Sequence, residues 1–293
     1  MNCNSNDCNS NNCNSNDCPS NTCNEKSQPI EESNSKRSVN DKLDTHELNS
    51  ISHVLAVMSG KGGVGKSSVT ALLASELNRK GFKVGILDAD VTGPSIPKMF
   101  GIKERPKVVN GGMCPVVSNM GIGIMSVNLL LENEDDPVIW RGPIIAGAVS
   151  QFWTEVIWGK LDFLLVDLPP GTGDSPLTVM QSLPVQGVDI VSSPQDLAHI
   201  VVRKAINMVR KLDIPIYGIV ENMSFMQCPH CGEAVEIFGS RPGLDDYQGI
   251  PRLGEILLDL NLSRICDGGV VEFYSDQKIS KIVEKLLLKV ING

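Results

Sequence analysis

The chain has 293 residues, of which 41% are hydrophobic, and its formal net charge is −8. This length suits one large α/β domain or two smaller ones, and the negative charge gives no support to nucleic-acid binding through a broad basic surface. No apolar run is long enough to span a bilayer, and the polar N-terminus has no apolar signal-peptide core. We therefore expect a cytoplasmic protein with neither a nucleic-acid partner nor a membrane partner.

Residues 1–50 differ in composition from the rest of the chain. Asn, Ser, Asp and Cys dominate the first 24 residues, and a cysteine recurs at every fifth position, at Cys3, Cys8, Cys13, Cys18 and Cys23. Such a segment buries too little apolar surface to offset the entropy lost on ordering, so we predict a disordered tail over 1–50 and a globular domain over 51–293. In a reducing cytosol these thiols suit metal or redox chemistry better than disulfides. Two interpretations stay open: the tail captures iron or a labile cluster, or it holds no fixed metal.

The globular part alternates between short apolar runs and segments with helical periodicity. In chain order we predict a strand over 53–59, a helix over 67–81, a strand over 83–90, a helix over 143–161 and a strand from 162 that runs into a loop ending at 174. A strand over 188–193, a helix near 196–211, strands over 216–223 and 251–256 and a helix over 276–293 complete the order. Residues 91–138, rich in Gly and Pro, resist assignment. Apolar strands separated by helices predict a doubly wound α/β domain, whose mostly parallel sheet carries helices on both faces.

The stretch GKGGVGKSS, residues 60–68, has the pattern of a phosphate-binding loop and lies between a predicted strand and a predicted helix. Glycines let backbone N–H groups close around phosphates, and the helix N-terminus adds its positive end. Lys66 is expected to reach the β- and γ-phosphates of ATP, and the Ser67 hydroxyl to bind Mg²⁺. The loop residues predicted to bind ATP are Gly60, Lys61, Gly62, Gly63, Val64, Gly65, Lys66, Ser67 and Ser68.

Carboxylates follow two other predicted strands. Asp88 and Asp90 end the run ILDAD, and Asp167 follows the apolar run before PPGTGD. Doubly wound sheets bind ligands at the carboxyl ends of their strands, and a carboxylate in the position of Asp167 holds Mg²⁺ in phosphate-loop proteins. Asp174, just before SPLTVM, is interpreted as a helix N-cap.

The stretch CPHCG places two thiols, Cys228 and Cys231, three positions apart within a segment near 224–240 that we interpret as a metal-binding insertion. A closed zinc site and a [4Fe–4S] cluster each need four protein ligands. Residues 51–293 hold no second CxxC, and Cys114 and Cys266 are isolated. A symmetric dimer would supply four thiolates from two copies of the pair. Spacing alone leaves zinc and iron both open, and His230 between the thiols is interpreted as solvent-facing.

These motifs together carry a resemblance to a known family. KGGVGKS is similar to the deviant phosphate loop of the MinD/ParA class of ATPases, and Lys61 is the residue that marks the deviation. Within that class the chain resembles the Mrp-type (ApbC-like) iron–sulfur carrier ATPases from about residue 51 to residue 270. The stretches that carry this likeness are DADVTGPSIPKMFG (88–101), WRGP (140–143), DLPPGTGD (167–174), ENMSFMQCPHCG (221–232) and LGEI (253–256).

The resemblance implies an ATPase that works as a homodimer. Lys61 would reach across to the partner's phosphates, so that transition-state charge is neutralised only in the dimer. Lys61 and Asp90 would then be catalytic, with Asp90 positioning or activating the attacking water. Asp88 would support the Mg²⁺ shell, and Asn222, in the run ENM, would read the adenine edge.

The resemblance also implies the cargo. Cys228 and Cys231 of two subunits would hold a [4Fe–4S] cluster between them, to be delivered to apo iron–sulfur proteins, with a cluster-assembly scaffold as a further partner. The chain departs from the family where relatives often read LGEIPLDP, since Leu257 and Leu260 stand in place of the prolines. This change leaves the adenine-side loop less rigid.

Two other functions remain open from the sequence. A zinc-bridged nucleotide-switch scaffold fits the same thiol pair. A MinD/ParA-like positioning ATPase that binds a membrane or DNA would use the terminal helix, which carries an apolar stripe opposite Lys281, Lys285 and Lys289. A stripe of this kind more often packs on its own sheet. Its apolar members are Ile279, Ile282, Val283, Leu286 and Val290.

Overall fold

A computed structural model of the chain describes residues 43–90, 93, 95–109, 111–131, 142–238 and 247–292. The five cysteines of the N-terminal repeat and Trp140 lie outside these ranges. The strands are β1 Ser50–Ser59, β2 Val84–Asp88, β3 Lys107–Val109, β4 Gly112–Cys114, β5 Val116–Val117, β6 Gly123–Ser126, β7 Lys160–Asp167, β8 Gly187–Ser192, β9 Ile216–Glu221, β10 Met226–Gln227, β11 Ala234–Val235 and β12 Arg252–Glu255. The helices are α1 Lys66–Arg79, α2 Ile96–Met99, α3 Gly142–Thr154, α4 Asp174–Ser182, α5 Asp196–Arg210, α6 Leu260–Asp267 and α7 Gln277–Asn292, and two 3₁₀ turns cover Val127–Leu130 and Val271–Phe273.

Eight strands form the main sheet in the order β12-β9-β8-β1-β7-β2-β6-β5. Every neighbouring pair in it is parallel except β5–β6, which closes one edge as an antiparallel pair. Strands β2 and β8 are buried from end to end, and β1 and β7 are buried over their second halves, as apolar runs predict for a sheet covered on both faces. The predicted doubly wound α/β fold is confirmed.

Apolar side chains fill both faces of this sheet. Residues of α3, α4 and α5 pack on one face, and residues of α1, α6 and α7 pack on the other. The predicted stripe of α7 belongs to the second face, where all five of its apolar members are buried, while its three lysines are exposed. The stripe therefore serves packing and is not available to a lipid surface. Among the described residues no helix is both long enough and apolar enough to cross a membrane.

The predicted helix over 143–161 is wrong in its last third. Helix α3 ends at Thr154, and β7 already begins at Lys160. The residues after Thr154 pair with β4 instead: the N–H of Met113 donates to the carbonyl of Glu155 at 3.0 Å, and the N–H of Ile157 donates to the carbonyl of Met113 at 2.8 Å. Gly159, just before β7, has φ +66°, a left-handed conformation that glycine adopts without a steric penalty. The unassigned stretch 91–138 contains β3 to β6, short strands that are defined by their partners more than by their own pattern.

Part of the predicted tail contacts the domain. The Trp153 indole N–H donates to the carbonyl oxygen of Leu43 at 2.8 Å, the Thr45 hydroxyl donates to that of Trp153 at 3.2 Å, and the Asn49 amide donates to that of Val156 at 2.9 Å. These bonds fasten residues 43–49 to the end of α3, so the ordered contacts of the domain extend at least to Leu43.

Asp189, in the middle of β8, is a buried acid without a partner. Its carboxyl group is fully buried, and neither oxygen has a hydrogen-bond partner among the described residues. Burial raises the pKa of Asp189 to about 8. The phenol of Tyr217 on the neighbouring strand also has a raised pKa, mainly because of burial and then because of the charge of Asp189. The folded protein therefore favours the protonated form of Asp189.

This acid makes stability depend on pH. Because the folded-state pKa lies above the usual value of 3.8, its stabilising contribution is complete below that value and is lost as the pH rises through about 8. Between pH 5 and 8 we expect the free energy of unfolding to fall by about 4 kcal/mol more in the wild-type chain than in Asp189→Asn, which cannot ionise. Denaturant titrations of both proteins at the two pH values measure this difference. Parallel pH dependences would contradict it.

Candidate functional site

The phosphate-binding loop connects β1 to α1 at the carboxyl edge of the sheet. Gly65, the N-cap of α1, has φ +77° and offers no capping side chain, so the N–H groups of the first turn point to the space before the helix. This space is a cavity of about 310 Å³ that is lined by most of the loop and by Asp90, Ser95, Met99 and Pro170. The predicted loop therefore lines a pocket whose geometry suits an anion.

The predicted loop residues all lie around or beside this pocket. Gly62, Gly63, Val64, Gly65, Lys66, Ser67 and Ser68 line it directly. Gly60 lies against α5, where a β-carbon on it would come within 2.5 Å of Val201 Cγ1. Burial raises the pKa of the Cys266 thiol in α6, and the Ser68 hydroxyl opposes this shift.

Lys66 and Asp167 form a buried ion pair at the floor of the pocket. The Lys66 side chain is 5% exposed, and its Nζ lies 2.8 Å from Asp167 Oδ2 and 3.5 Å from Asp90 Oδ2. The Ser67 hydroxyl donates to Asp167 Oδ2 at 2.6 Å. Oxygen donors of this kind are the ligands that Mg²⁺ prefers, so the residues present fit the predicted ion.

Asp88 stands beside Asp167 on the neighbouring strand, in register with it. Burial, followed by the negative charge of Asp167, raises the pKa of Asp88 well above its usual value, while Lys66 and a hydrogen bond from Ser126 oppose the shift. Asp88 Oδ1 accepts the backbone N–H of Asp90 at 3.1 Å, and its Oδ2 accepts the Ser126 hydroxyl at 3.0 Å. The contacts seen for Asp88 thus orient the backbone that carries Asp90.

Thr70 is a site residue that the sequence did not reveal. Its hydroxyl lies 2.8 Å from Asp167 Oδ1 and 3.1 Å from the carbonyl oxygen of Lys66, and it can donate to either. Thr70 follows Lys66 by one helical turn, so it lies on the same side of α1. This spacing predicts a role for Thr70 at the site only once α1 is known to face β7. Both oxygens of Asp167 therefore have donors from α1.

Lys61, the residue that marks the deviant loop, points away from this ion pair. Its Nζ donates to Oε1 of Gln195, the residue just before α5, and its carbonyl oxygen accepts the Ser59 hydroxyl at 3.0 Å. The carbonyl of Ser59 in turn accepts the N–H of Gly171 at 2.9 Å.

The predicted cap at Asp174 is displaced by one residue, because Gly173 is the N-cap and Asp174 opens α4.

Asn222 follows β9 and contacts the phosphate loop directly. It is 4% exposed, and its Nδ2 donates to the carbonyl oxygen of Val64 at 2.9 Å. In this structure the amide donor is thus engaged by the loop backbone. Reading of the adenine edge by Asn222 stays a prediction.

The cysteine pair occupies the tip of a small hairpin formed by β10 and β11. The Cys228 N–H donates to the carbonyl of Glu233 at 2.8 Å, and the Gly232 N–H donates to the carbonyl of Cys228 at 2.9 Å. Cys228 is half-buried, Cys231 is exposed, and His230 between them is exposed as well. The backbone N–H groups of Cys231 and then His230 bond toward the Cys228 sulfur and lower its pKa. The hairpin therefore offers two thiols to solvent with one already inclined to ionise.

Within the described ranges this pair finds no further ligands. No group of three or more His, Cys, Asp or Glu side chains there is arranged to hold a metal ion. Cys114 lies in β4 and Cys266 in α6. One described copy of the chain thus provides half of a four-ligand site.

Comparison with known proteins agrees with this geometry. The sequence pattern of the NUBPL iron-transfer P-loop NTPases, of the ParA group, matches residues 50–291. The iron-sulfur cluster carrier protein of Clostridium perfringens is 44% identical over 247 residues, which cover 81% of this chain and 86% of that protein. The protein of the same description from Methanocaldococcus jannaschii is 45% identical over 248 residues, covering 83% and 86%. A probable cytosolic Fe-S cluster assembly factor of Schizosaccharomyces pombe is 42% identical over 261 residues, covering 80% and 43%.

Solved structures give the same fold. A nucleotide-binding protein from Archaeoglobus fulgidus, in complex with ADP, is 47% identical and superposes with a TM-score of 0.69 over 77% of this chain and 90% of that one. The septum site-determining protein MinD of Pyrococcus horikoshii, complexed with Mg-ADP, has a TM-score of 0.56 at 19% identity, covering 83% and 98%, and this likeness shows the fold alone. The chain belongs to the NUBPL iron-transfer family of P-loop NTPases.

Proposed function

We propose that this P-loop NTPase is an ATP-hydrolysing carrier of iron–sulfur clusters. Two copies hold a [4Fe–4S] cluster between their Cys228 and Cys231 thiolates and pass it to apo iron–sulfur proteins. The observation that carries this proposal is the pair of thiols, Cys228 half-buried and Cys231 exposed, at the tip of a hairpin that follows β9 and the loop contact of Asn222. Relatives described as cluster carriers support it, and the yeast relative described as cytosolic supports a cytoplasmic location.

The thiol count supports a dimeric site. A [4Fe–4S] cluster takes four cysteine ligands as a rule, and the hairpin supplies two. Two hairpins related by a two-fold axis supply four equivalent thiolates without any further residue. A cluster held in this way is lost or transferred when the two chains separate, which suits a carrier better than a permanent cofactor. Recipient apo-proteins and a cluster-assembly scaffold are then the partners of this surface.

The nucleotide half of the proposal assigns a role to each residue at the carboxyl edge. Lys66 binds the β- and γ-phosphates of ATP, and Ser67 and Asp167 hold Mg²⁺ with support from Asp88. Bound Mg²⁺ would supply charge stabilisation to the phosphates. Asp90, whose carboxylate reaches into the pocket, orients the attacking water. Ser68 and Asn222 contact the rest of the nucleotide.

Lys61 is the residue that makes hydrolysis depend on a second copy. Because it reaches the partner's phosphates, we expect Lys61→Ala to bind ADP as tightly as the wild-type chain and to hydrolyse ATP at least about 100-fold more slowly. Rates measured against protein concentration test the dimer directly, since wild-type activity per chain should rise with concentration. Lys80→Ala, which removes a surface lysine paired with Glu284, is the control. A Lys61→Ala chain with wild-type rates would contradict the role in trans.

Thr70 tests the magnesium site. Thr70→Val keeps the shape of the side chain but removes the donor to Asp167, so we expect Mg²⁺-dependent ADP binding to weaken roughly tenfold. ADP binding measured in EDTA should change much less. Ser75→Ala removes another buried hydroxyl of α1, which donates to the carbonyl of Ala71, and should leave both affinities unchanged. Equal losses with and without Mg²⁺ would mean that Thr70 acts on the helix and not on the ion site.

The cysteine pair tests the cargo. After anaerobic reconstitution we expect about two iron atoms per chain bound at the hairpin, and Cys228→Ser or Cys231→Ser should lose this amount. Metal analysis and the visible thiolate-to-iron absorption measure it. Cys114→Ser, which changes a cysteine outside the hairpin, should keep the full content. Unchanged iron in the Cys228→Ser chain would overturn the carrier proposal, and zinc in place of iron would favour the zinc-bridged scaffold.

A further inference from the structure

The phosphate loop and the cysteine hairpin are joined by a very short segment. Strand β9 ends at Glu221, and β10 begins at Met226. Cys228 is six residues beyond Asn222, a span of at most roughly 20 Å even when fully extended. Any movement of this segment therefore reaches both the loop and the thiols.

Two consecutive residues of the segment pack on the loop. Asn222 Nδ2 donates to the carbonyl of Val64 at 2.9 Å. A β-carbon on Gly65 would lie 2.3 Å from that same nitrogen and 3.5 Å from Cε of Met223. The segment thus rests on the backbone of Gly65 at a distance that only glycine permits.

The bond from Asn222 fixes the direction of a phosphate-binding N–H group. The carbonyl of Val64 and the N–H of Gly65 belong to one peptide unit, and in a trans peptide these two groups point in opposite directions. While Asn222 holds the carbonyl, the N–H of Gly65 is held on the opposite side of that peptide plane. Val64 and Gly65 both line the pocket, where loop N–H groups meet phosphate oxygens.

Met223 forms a bend in a segment whose neighbouring residues are held by hydrogen bonds. Its φ is +59°, in the left-handed region that residues with a β-carbon seldom adopt. The residues on either side are tied down: the N–H of Asn222 bonds to the carbonyl of Ser192 at 2.8 Å, that of Ser224 to Ile256 at 3.0 Å, and the carbonyl of Phe225 accepts from Leu258 at 2.9 Å. The ammonium group of Lys278 also lies 4.3 Å from the centre of the Phe225 ring. A backbone conformation of this kind persists only when its surroundings hold it.

We propose that Asn222 and Met223 couple the two sites, so that metal bound at Cys228 and Cys231 and nucleotide bound at the loop each strengthen the binding of the other. Metal orders the hairpin and with it the left-handed turn at Met223. That turn keeps Asn222 on Val64 and keeps the Gly65 N–H in the orientation for phosphate. This inference rests on the proposed function only in taking the hairpin as a metal site. Asn222 is here a positioning residue that acts through the loop peptide.

The linkage is measured on the full chain with Co²⁺ as the metal probe and ADP as the nucleotide, at saturating Mg²⁺. Thiolate-to-cobalt absorption reports hairpin occupancy, and a chain with Cys228→Ser and Cys231→Ser gives the background from other thiols. We expect Co²⁺ to tighten ADP binding about fivefold in the wild-type chain, and ADP to tighten Co²⁺ binding by the same factor, because coupling is reciprocal.

Met223→Gly tests the turn. Glycine adopts the left-handed conformation without a penalty, so the conformation at position 223 no longer depends on packing against the loop. The fivefold effect of Co²⁺ and ADP on each other's binding should then fall to about one, while each ligand still binds. Met223→Asn, which also tolerates this conformation but lacks the methyl group near Gly65, is the second variant should the glycine chain fail to fold. Asp213→Gly is the matched control, since Asp213 is exposed, has φ +54° and follows α5. It should keep the full factor.

Asn222→Ala separates positioning from base reading. If Asn222 orients the loop peptide, ADP and GDP should lose affinity by the same factor. A loss confined to ADP would assign Asn222 to the adenine alone and overturn the positioning role.

The remaining outcomes are distinct. Equal Co²⁺ absorption with and without the two hairpin cysteines would defeat the metal site and the proposed function. Normal binding of both ligands without mutual effect would overturn the coupling and leave the carrier proposal standing. Full coupling in Met223→Gly, or its loss in Asp213→Gly, would also overturn the inference.

Discussion

The buried charge of Asp167 determines how the carboxyl edge of the sheet, with its phosphate-binding loop, is arranged. A carboxylate with no solvent exposure is costly unless donors surround it, and within the described part of the chain its side-chain donors come from one helix, through Lys66, Ser67 and Thr70. These three reach Asp167 only if α1 begins where the phosphate loop ends. The ion pair thus ties the loop, α1 and β7 into one unit. A loop in another conformation would leave the carboxylate without its counter-charge, so folding itself selects the geometry that binds phosphate.

The same arrangement crowds negative charge at the edge. Asp88 and Asp167 lie side by side on neighbouring strands, and one lysine is shared between Asp167 and Asp90. The raised pKa of Asp88 expresses this surplus of carboxylates in a buried place. A divalent cation relieves such a surplus, which is a physical reason for a magnesium site that does not depend on any relative. Asp189 carries a similar burial cost but lies inside the sheet, away from the pocket, and has no such relief.

The sequence predicted those parts of the fold that are encoded locally. Apolar strands such as β7 and β8 and the phosphate loop each carry their pattern within about ten residues. The end of α3 was mistaken because EVIWGKL has apolar spacing that suits either a helix or a strand, and residues 155–157 pair with Met113 of β4 instead of continuing the helix. Strands β3 to β6 were missed because each is only two to four residues long, too short to show a periodic pattern. Thr70 escaped notice for a different reason: an ordinary threonine in a helix becomes a site residue only through the strand that the helix faces.

The two halves of the proposed carrier place opposite demands on the structure. The phosphate pocket is built from buried groups that each make several hydrogen bonds or ion pairs, whereas the thiols lie at the tip of a surface hairpin whose strands are two residues long. Lys61 lies between these extremes. Its ammonium group is held by the neutral amide of Gln195, and in the proposed dimer it would turn from there toward the phosphates of the other chain. Assembly of the proposed dimer would then exchange a bond to a neutral acceptor for contact with a polyanion. That exchange is favourable only when a nucleotide is present in the partner, so dimerisation and the four-thiolate site that comes with it would follow the nucleotide state.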